Sequence, residues 1–521
     1  MRLVCFVAGI MLVCQCRTPD ARYDTVARPN ILFVISDDQS WPHASAYGTQ
    51  GFHTPAFDRV AREGVLFTQA FVAAPQCSPS RAALLTGRPI WQLEEAGTHG
   101  SYFPSKFEVF TQNLGNSGYA VGYTGKAWGP GNWQDAGWKT NPVGEAYNEH
   151  MFDEVPYKGL HRLDYARNFQ AFLDAHSEGE PFFFWFGAHE PHRVYEYGSG
   201  RRAAESVQPD LPPFLPSTDS IANDMHDYAL EISWFDKQLA RMLTMLEERG
   251  MLDNTLVVVT SDNGMAFPHA KASLQEYGIH VPLAICGPGV AGGRVVDDLV
   301  SLIDLAPTFL EVSGATPLKE NEGKSLIPLL RNQLAEPHRH FVLAGRERHT
   351  HARPDNLGYP ARAMRTQDWL YIRNFAPERW PMGDPAPTSA TGIALDENTK
   401  PIVYGYEDID DSPSKREMIR RHNEWPVLFR AAFAKRPAEQ LYNIREDPHC
   451  LRDLSGEPEY SEILGQLREA LVSELTDQKD PRVLGTGDVF ESYPRFGLMR
   501  PFPGFRERGA YNEAFRIHTN D

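Results

Sequence analysis

The chain is short of cysteine and of long apolar segments, and each shortage excludes a class of protein. Its 521 residues contain six cysteines, three of which fall within the first 16 positions. The other three, Cys77, Cys286 and Cys450, are widely spaced and odd in number, so they do not form the disulfide framework of a small secreted domain. Beyond the first 16 positions no apolar run approaches the roughly 20 residues of a transmembrane helix. We therefore expect a globular protein without a transmembrane helix.

Basic residues are also in deficit. The chain has 51 lysines and arginines against 68 aspartates and glutamates, which gives a formal net charge of −17. A field of that sign repels nucleic acids and anionic membrane surfaces, so neither is an expected partner. An anionic ligand would need a local concentration of basic side chains.

The first residues have the pattern of an export signal. Arg2 precedes an apolar run of eleven residues at positions 3–13, which is too short to span a membrane but typical of a signal-peptide core. We predict a signal peptide over residues 1–16 and an exported protein, periplasmic or extracellular. Cys14 and Cys16 leave a lipid-anchored N-terminus open, although the residues before them match a small-residue cleavage site poorly.

Four apolar runs predict the main sheet. Each has the length and the β-branched or aromatic content of a buried strand, and helical patterns such as residues 54–64 and 224–249 lie between them. The runs are residues 30–36, 119–124, 181–188 and 255–261. Alternating strands and helices favour an α/β fold, with a large, mostly parallel sheet sandwiched by helices. In such sheets the ligand lies beyond the carboxyl ends of the strands, where each of these runs is followed by polar residues.

The character of the chain changes near residue 358. Residues 364–375 and 439–443 are typical of short antiparallel strands, and residues 460–475 form an amphipathic helical pattern. We predict a catalytic domain over residues 28–358 and a smaller C-terminal subdomain, with an antiparallel sheet, over residues 359–521.

Two pairs of polar residues follow the first and last of the four runs. Asp37 and Asp38 follow the first, and Asp262 and Asn263 follow the last. Carboxylate and amide oxygens suit a hard divalent cation, Ca²⁺ or Mg²⁺, rather than zinc. A single aspartate at a strand end more often caps a turn, but two pairs at two strand ends favour a metal site.

Cys77 begins the sequence Cys-Ser-Pro-Ser-Arg, which ends at Arg81 and leads into an apolar helical run. Pro79 suits the first turn of a helix, so Cys77 is predicted at a helix N-terminus, where free N–H groups favour anions. Arg81 lies one turn further on and could hold an anion oxygen. An ordinary thiol beside a helix cap would have the same composition.

A longer motif favours a functional cysteine over an ordinary thiol. Residues 77–81, followed by Leu-Leu-Thr-Gly at 84–87, resemble the signature of the type I sulfatases, in the alkaline phosphatase superfamily. Further motifs of that family occur in the same order between about residues 28 and 475. Residues 30–38 and 260–264 resemble its two metal motifs, residues 125–126 and 189–192 its two sulfate-binding motifs, and residues 441–443 with 447–448 its leucine–tyrosine strand and turn.

The resemblance implies the cofactors. Cys77 would be converted to formylglycine by a maturation enzyme, which is then an expected partner. One Ca²⁺ per chain would be bound by Asp37, Asp38, Asp262 and Asn263 together with residue 77.

The resemblance also implies the catalytic roles. One hydroxyl of the hydrated residue 77 would attack sulfur, and the second would lose its proton as sulfate is released. Arg81, Lys126 and Lys271 would stabilise charge on the sulfuryl oxygens. His189, with Lys271, would protonate the leaving oxygen or nitrogen.

One position departs from the family pattern. The usual Gly-Lys-x-His motif has Trp128 in place of its histidine, which normally contacts the formylglycine hydroxyl. His99 and His192 are candidate substitutes that the sequence does not place.

The substrate is expected to be a sulfated saccharide. Residues 77–87, 188–193 and 260–268 resemble the sulfamidases of the family, which favours N-linked sulfate on glucosamine, whereas Lys271 and Trp128 leave an O-sulfate on a polysaccharide open. A basic stretch just before the predicted boundary would line the pocket mouth, with Arg346, His349, His351 and Arg353 as substrate-binding residues. The alternatives are a phosphate or phosphonate monoester hydrolase of the same superfamily and an inactive glycan-binding relative.

Overall fold

The structure, a computed structural model, describes residues 28–177, 179–203, 207–353, 355, 357–385 and 405–496. The predicted signal peptide lies outside these residues. The strands within them are β1 (Asn30–Ser36), β2 (Val65–Phe67), β3 (Ala70–Phe71), β4 (Ala120–Gly125), β5 (Glu145–Ala146), β6 (Phe182–Gly187), β7 (Thr255–Ser261), β8 (Leu283–Cys286), β9 (Arg294–Val296), β10 (Val300–Ser301), β11 (Phe341–Arg346), β12 (Ala361–Thr366), β13 (Trp369–Asn374) and β14 (Glu439–Asn443).

The α-helices within the same residues cover the sheets. They are α1 (Pro55–Glu63), α2 (Cys77–Thr86), α3 (Phe110–Asn116), α4 (Tyr165–Ala175), α5 (Ser199–Arg202), α6 (Asp219–Glu248), α7 (Glu276–Ile279), α8 (Leu305–Ser313), α9 (Ile327–Leu330), α10 (Pro413–Arg420), α11 (Pro426–Phe433), α12 (Ser461–Asp477) and α13 (Val489–Ser492).

The large sheet places the four sequence-predicted strands side by side. Its order is β5-β4-β6-β1-β7-β8-β2-β9, and β4, β6, β1 and β7 are mutually parallel. Because parallel neighbours end at the same edge, the polar residues that follow these strands lie close together. The predicted α/β fold is confirmed, and β8 adds an antiparallel strand between β7 and β2.

Strand β1 shows why the four predicted strands are apolar throughout and do not alternate between apolar and polar residues. Ile31, Phe33 and Ile35 pack into one hydrophobic core, and Leu32 and Val34 pack into another on the opposite face. Helices cover both faces of the sheet, so every side chain of β1 is buried.

The smaller sheet is antiparallel, in the order β11-β12-β13-β14. Helix α12 packs against β12 and β13 and buries Leu464, Leu467, Leu471 and Leu475 at helical spacing. Strand β11 lies before residue 358, so this sheet begins on the N-terminal side of the predicted domain boundary. The boundary itself stays a prediction. Within the described residues no helix has the length and apolar character needed to cross a membrane.

Candidate active site

Helix α2 presents Cys77 at its first position. Pro79 occupies the first turn, where a missing N–H costs nothing, and Gly87 ends the helix in the left-handed region with φ 65°. Every residue of α2 is buried, and the Cys77 side chain is 2% exposed. Burial raises the pKa of the Cys77 thiol, so the unmodified cysteine is a poor nucleophile at neutral pH.

Three ion pairs lie around Cys77 at the carboxyl ends of the strands, and those of Arg81 and Lys271 are buried while that of Lys126 is partly exposed. Arg81 donates through Nε to Asp262 Oδ2 at 2.7 Å. Lys126, after β4, pairs with Asp37, and Lys271 pairs with Asp38 at 2.6 Å. Each cation lies beside a carboxylate of one of the two predicted metal motifs.

Four of the five predicted ligands fit a hard divalent cation, whereas both carboxylate oxygens of Asp38 already accept hydrogen bonds, from Asn263 and Lys271. Oxygen atoms of Asp37 and Asp262 and the sulfur of Cys77 all lie within 4.8 Å of one another. Asp37 Oδ1 and Asn263 Oδ1 are buried and accept no hydrogen bond from the described residues. Buried carboxylate and amide oxygens without donors are costly unless a cation or another partner satisfies them.

The charges of Asp37 and Asp262 also favour a cation between them. Burial and the nearby Asp37 carboxylate raise the pKa of Asp262 to about 7, despite Arg81. A divalent ion would relieve this repulsion and keep both groups ionised. The backbone of Asp38 has φ 76°, a left-handed conformation that is uncommon for a residue other than glycine.

Arg81 offers an anion site beside this cluster. Its Nη1 donates to the backbone carbonyls of Lys126 and Ala127, at 2.6 and 3.0 Å. Its Nη2 is buried without a hydrogen-bond partner among the described residues. A guanidinium held on one side and free on the other is suited to bind an anion oxygen.

His189 follows β6 and stacks on His161, with ring centroids 4.1 Å apart and 14° between the planes. Its backbone N–H donates to the Tyr165 hydroxyl at 3.1 Å. Burial, with the charges of His161 and Lys126, lowers the pKa of His189 to about 3. The imidazole is therefore neutral at neutral pH in the free protein.

Trp128 and His99 approach the start of α2 from different segments. The indole of Trp128 donates to the carbonyl of Ser78 at 3.0 Å. His99 Nε2 lies 3.3 Å from Cys77 Sγ. His192, the other candidate substitute, has its Nε2 3.8 Å from Asp38 Oδ2.

Comparison with known proteins decides the family. A family model described as Sulfatase matches residues 29–315, more than half of the chain. The chain belongs to the sulfatase family. A second model, described as N-sulphoglucosamine sulphohydrolase, C-terminal, matches residues 269–388 of this sulfatase. The chain is accordingly a sulfuric ester hydrolase.

Two relatives show how far the likeness extends. The sulfatase is 27% identical over 510 residues to N-sulphoglucosamine sulphohydrolase of Homo sapiens, covering 89% of this chain and 93% of the human protein. It is 25% identical over 480 residues to an ulvan-active sulfatase of Formosa agariphila, covering 86% and 75% of the two chains.

A solved structure has the same fold. It is described as a complex of a protein with its substrate D-glucosamine-2-N,6-O-disulfate, and it matches with a TM-score of 0.60 at 20% identity, covering 87% of this chain and 98% of the other. At that identity the likeness shows the fold alone.

The basic stretch of the sulfatase is buried rather than solvated. Arg346 and Arg353 both donate to Asp408 Oδ2, at 2.8 and 2.7 Å. His349 packs its ring against His99, with centroids 4.5 Å apart, and His351 is 1% exposed. The stretch thus reaches the neighbourhood of Cys77 through His349, while its arginines are paired internally. Their role in substrate binding stays a prediction.

Sequence reasoning missed two residues that contact the predicted catalytic side chains. Asp410 pairs with Lys271 at 3.1 Å, and His161 stacks on His189. Neither lies in a motif, and Asp410 is 139 positions from Lys271 in the chain. Only the tertiary structure brings these residues together.

Proposed function

We propose that this sulfatase removes sulfate from a sulfated saccharide, with formylglycine at residue 77 and one bound Ca²⁺. One observation carries the proposal. The thiol of a sulfatase signature lies at a buried helix start, within 4.8 Å of carboxylates from both predicted metal motifs.

Five residues would hold the cation: Asp37, Asp38, Asp262 and Asn263, with residue 77. When bound, Ca²⁺ supplies positive charge against the sulfate oxygens and the attacking oxygen. Formylglycine supplies a hydrated aldehyde, with one hydroxyl to attack sulfur and a second that lets sulfate leave without a further attack at sulfur.

The remaining residues bind and orient the sulfate group. Arg81 Nη2 has the free donors for one sulfate oxygen. Lys126 and Lys271 are held by Asp37 and Asp38 and add positive charge on either side. Donors fixed before the substrate arrives stabilise charge that develops in the transition state at little reorganisation cost.

His189 is proposed as the proton donor to the leaving group. The negative charge of a bound sulfate ester would raise the pKa of its imidazole, which burial lowers in the free protein. His161 limits the orientation of the ring by stacking on it. Substrate binding would therefore favour the protonated form of this donor.

The saccharide is proposed from two lines of similarity. The human relative is named an N-sulphoglucosamine sulphohydrolase, and the matching C-terminal model carries the same description, which favours N-linked sulfate on glucosamine. The bacterial relative is named as ulvan-active, which favours O-linked sulfate on a polysaccharide. The stretch 346–353 would form part of the pocket wall through His349. We also propose that the protein is exported and that it degrades such saccharides.

The test uses full-length protein made together with a maturation enzyme. Peptide mass spectrometry should show aldehyde at residue 77, and Cys77→Ala should abolish sulfate release with an unchanged melting temperature. A panel of N- and O-sulfated oligosaccharides, scored for free sulfate and for the position lost, identifies the substrate. Activity carried by thiol alone at residue 77, or faster turnover of an aryl phosphate than of every sulfate, would refute the proposal.

A further inference from the structure

Position 128 has no proton acceptor in this chain. The indole nitrogen of Trp128 is a donor only, and it is already used by the carbonyl of Ser78. The ring is 3% exposed and packs against Phe103, with centroids 5.0 Å apart. Trp128 therefore anchors the first turn of α2 and takes no proton.

An imidazole reaches residue 77 from another segment. His99 follows α2 by thirteen residues, and its Nε2 lies 3.3 Å from Cys77 Sγ. The sulfur stands here for the oxygen atoms of the hydrated formylglycine, which branch from the same carbon. One hydroxyl of the hydrate would face His99, and the other would face the carboxylates of Asp37 and Asp262.

The second ring nitrogen fixes the tautomer of His99. Nδ1 lies 3.0 Å from the backbone oxygen of His349. A carbonyl only accepts hydrogen bonds, so Nδ1 carries the proton and Nε2 presents its lone pair to residue 77. Arg495 donates to the same carbonyl at 3.0 Å.

The carbonyl of His349 is itself held in place. The ring of His349 donates through Nδ1 to the backbone oxygen of Asp408 at 3.1 Å. The backbone N–H of Thr350 donates to the Asp408 carboxylate at 3.0 Å. The stretch 346–353 thus supports His99 as well as the wall of the site.

We propose that His99 is the catalytic proton acceptor for the hydroxyl of residue 77 that faces it. In this step the O–H bond breaks, its electron pair stays on oxygen, and the proton bonds to the lone pair of Nε2. The Nδ1 hydrogen bond to the carbonyl of His349 offsets part of the cost that burial places on the imidazolium, and the proton then passes to water. The inference rests on the proposed formylglycine function and adds a residue outside the family motif.

Two variants separate this chemical role from a structural one. His99→Asn keeps a donor for the carbonyl of His349 but has no atom at the place of Nε2. His99→Gln puts an amide near that place, which accepts a hydrogen bond but not a proton. A matched control is His338→Asn, which removes another buried imidazole, bonded to Asp304 and away from the site.

Each variant is made with the maturation enzyme, and kcat is expressed per aldehyde found at residue 77 by mass spectrometry. Loss of a positioned proton acceptor costs about 10²- to 10⁴-fold in rate. We expect kcat to fall by at least about 100-fold in both His99 variants, with an unchanged KM and with wild-type kcat in the control. The normalisation to aldehyde keeps the result interpretable if maturation or yield is reduced.

A loss smaller than tenfold per aldehyde in either His99 variant overturns the assignment, because a required base is not replaced by an amide. Failure of the proposed formylglycine function can be distinguished from failure of the His99 assignment. If active wild-type protein contains only thiol at residue 77, the formylglycine proposal fails, whatever the His99 variants show.

Discussion

Lys271 lies between two buried carboxylates, with its Nζ 2.6 Å from Asp38 Oδ2 and 3.1 Å from Asp410 Oδ2. Asp38 follows β1 of the large sheet, and Asp410 belongs to the segment just before α10. Asp38 and Asp410 raise the pKa of Lys271 although burial opposes its charge. The ammonium therefore connects the large sheet to a later segment of the chain, and the site includes residues from both.

Lys271→Ala is expected to lower both activity and stability. Removing one partner of a buried ion pair leaves an uncompensated charge, which costs about 3–5 kcal/mol, and here two carboxylates are left. Lys271→Arg keeps the charge and should retain more kcat than the alanine variant. Denaturant unfolding and initial rates of sulfate release measure both effects, and equal rates for the two variants would contradict the role of the charge.

Removal of divalent cations is expected to abolish activity and lower the melting temperature. The reason is the repulsion between the buried carboxylates of Asp37 and Asp262, which a cation would screen. Thorough chelation followed by titration with Ca²⁺ or Mg²⁺ should restore both quantities with one midpoint for each ion. Asp37→Asn should weaken Ca²⁺ binding and therefore move that midpoint to a higher Ca²⁺ concentration. A protein whose melting temperature and activity ignore chelation has no such site.

Trp128→His is expected to be tolerated better than Lys126→Ala or His189→Ala. The tryptophan contributes one hydrogen bond to Ser78 and its packing on Phe103, whereas Lys126 and His189 are proposed to contact the sulfate or the leaving group. The variant should lose stability by about 2–4 kcal/mol through the cavity it leaves, and it should keep more kcat than either comparison variant. If its kcat per aldehyde falls as far as theirs, Trp128 contacts substrate.

The sequence predicted the central part of the fold because its signals there are local. Strands β1 and β7 have the bounds of two apolar runs, since burial on both faces requires continuous apolar residues. The polar pairs after them are adjacent because parallel neighbours share an edge. The start of α2 at Cys77 follows from Pro79 and the apolar run after it.

Other contacts depend on distant parts of the chain, and the sequence alone did not place them. The contact of His99 with Cys77 needs the loop after α2 to fold back onto the helix start. A basic stretch is usually solvated, but Arg346 and Arg353 are buried, and both pair with Asp408, more than fifty positions away. The start of the small sheet at β11 was also missed, since its pairing partner lies beyond the predicted boundary.

The stretch 346–353 is expected to affect saccharide turnover more than turnover of a small aryl sulfate. His349→Ala and Arg353→Ala should each lower kcat/KM for the saccharide by a larger factor, because a small substrate does not extend to the pocket wall. Arg353→Ala should also lower the melting temperature, since Asp408 loses one of its two arginines. A uniform fall for both substrates would mean that the stretch only supports the fold and His99.

Glu276 is expected to account for part of the loss of stability in acid. It accepts from Arg365 Nε at 2.5 Å and lies 3.0 Å from His280 Nδ1, and it joins the large-sheet region to β12. Burial alone would raise the pKa of its carboxyl, but Arg365 and His280 outweigh burial and lower it from 4.5 to about 2. The charged form therefore stabilises the folded state above pH 4.5, and this contribution is lost as the pH falls from 4.5 towards 2.

A difference of this size corresponds to about 3 kcal/mol at neutral pH. Glu276→Gln should therefore lower the denaturant midpoint at pH 7, and the gap between variant and wild type should close as the pH falls from 4.5 towards 2. The exposed Glu311→Gln on α8 is the matched control, with a midpoint near that of the wild type at both ends of this range. Unfolding followed by tryptophan fluorescence at several pH values measures the gap. A gap that stays constant down to pH 2.5 would show that the negative charge of Glu276 does not stabilise the folded state.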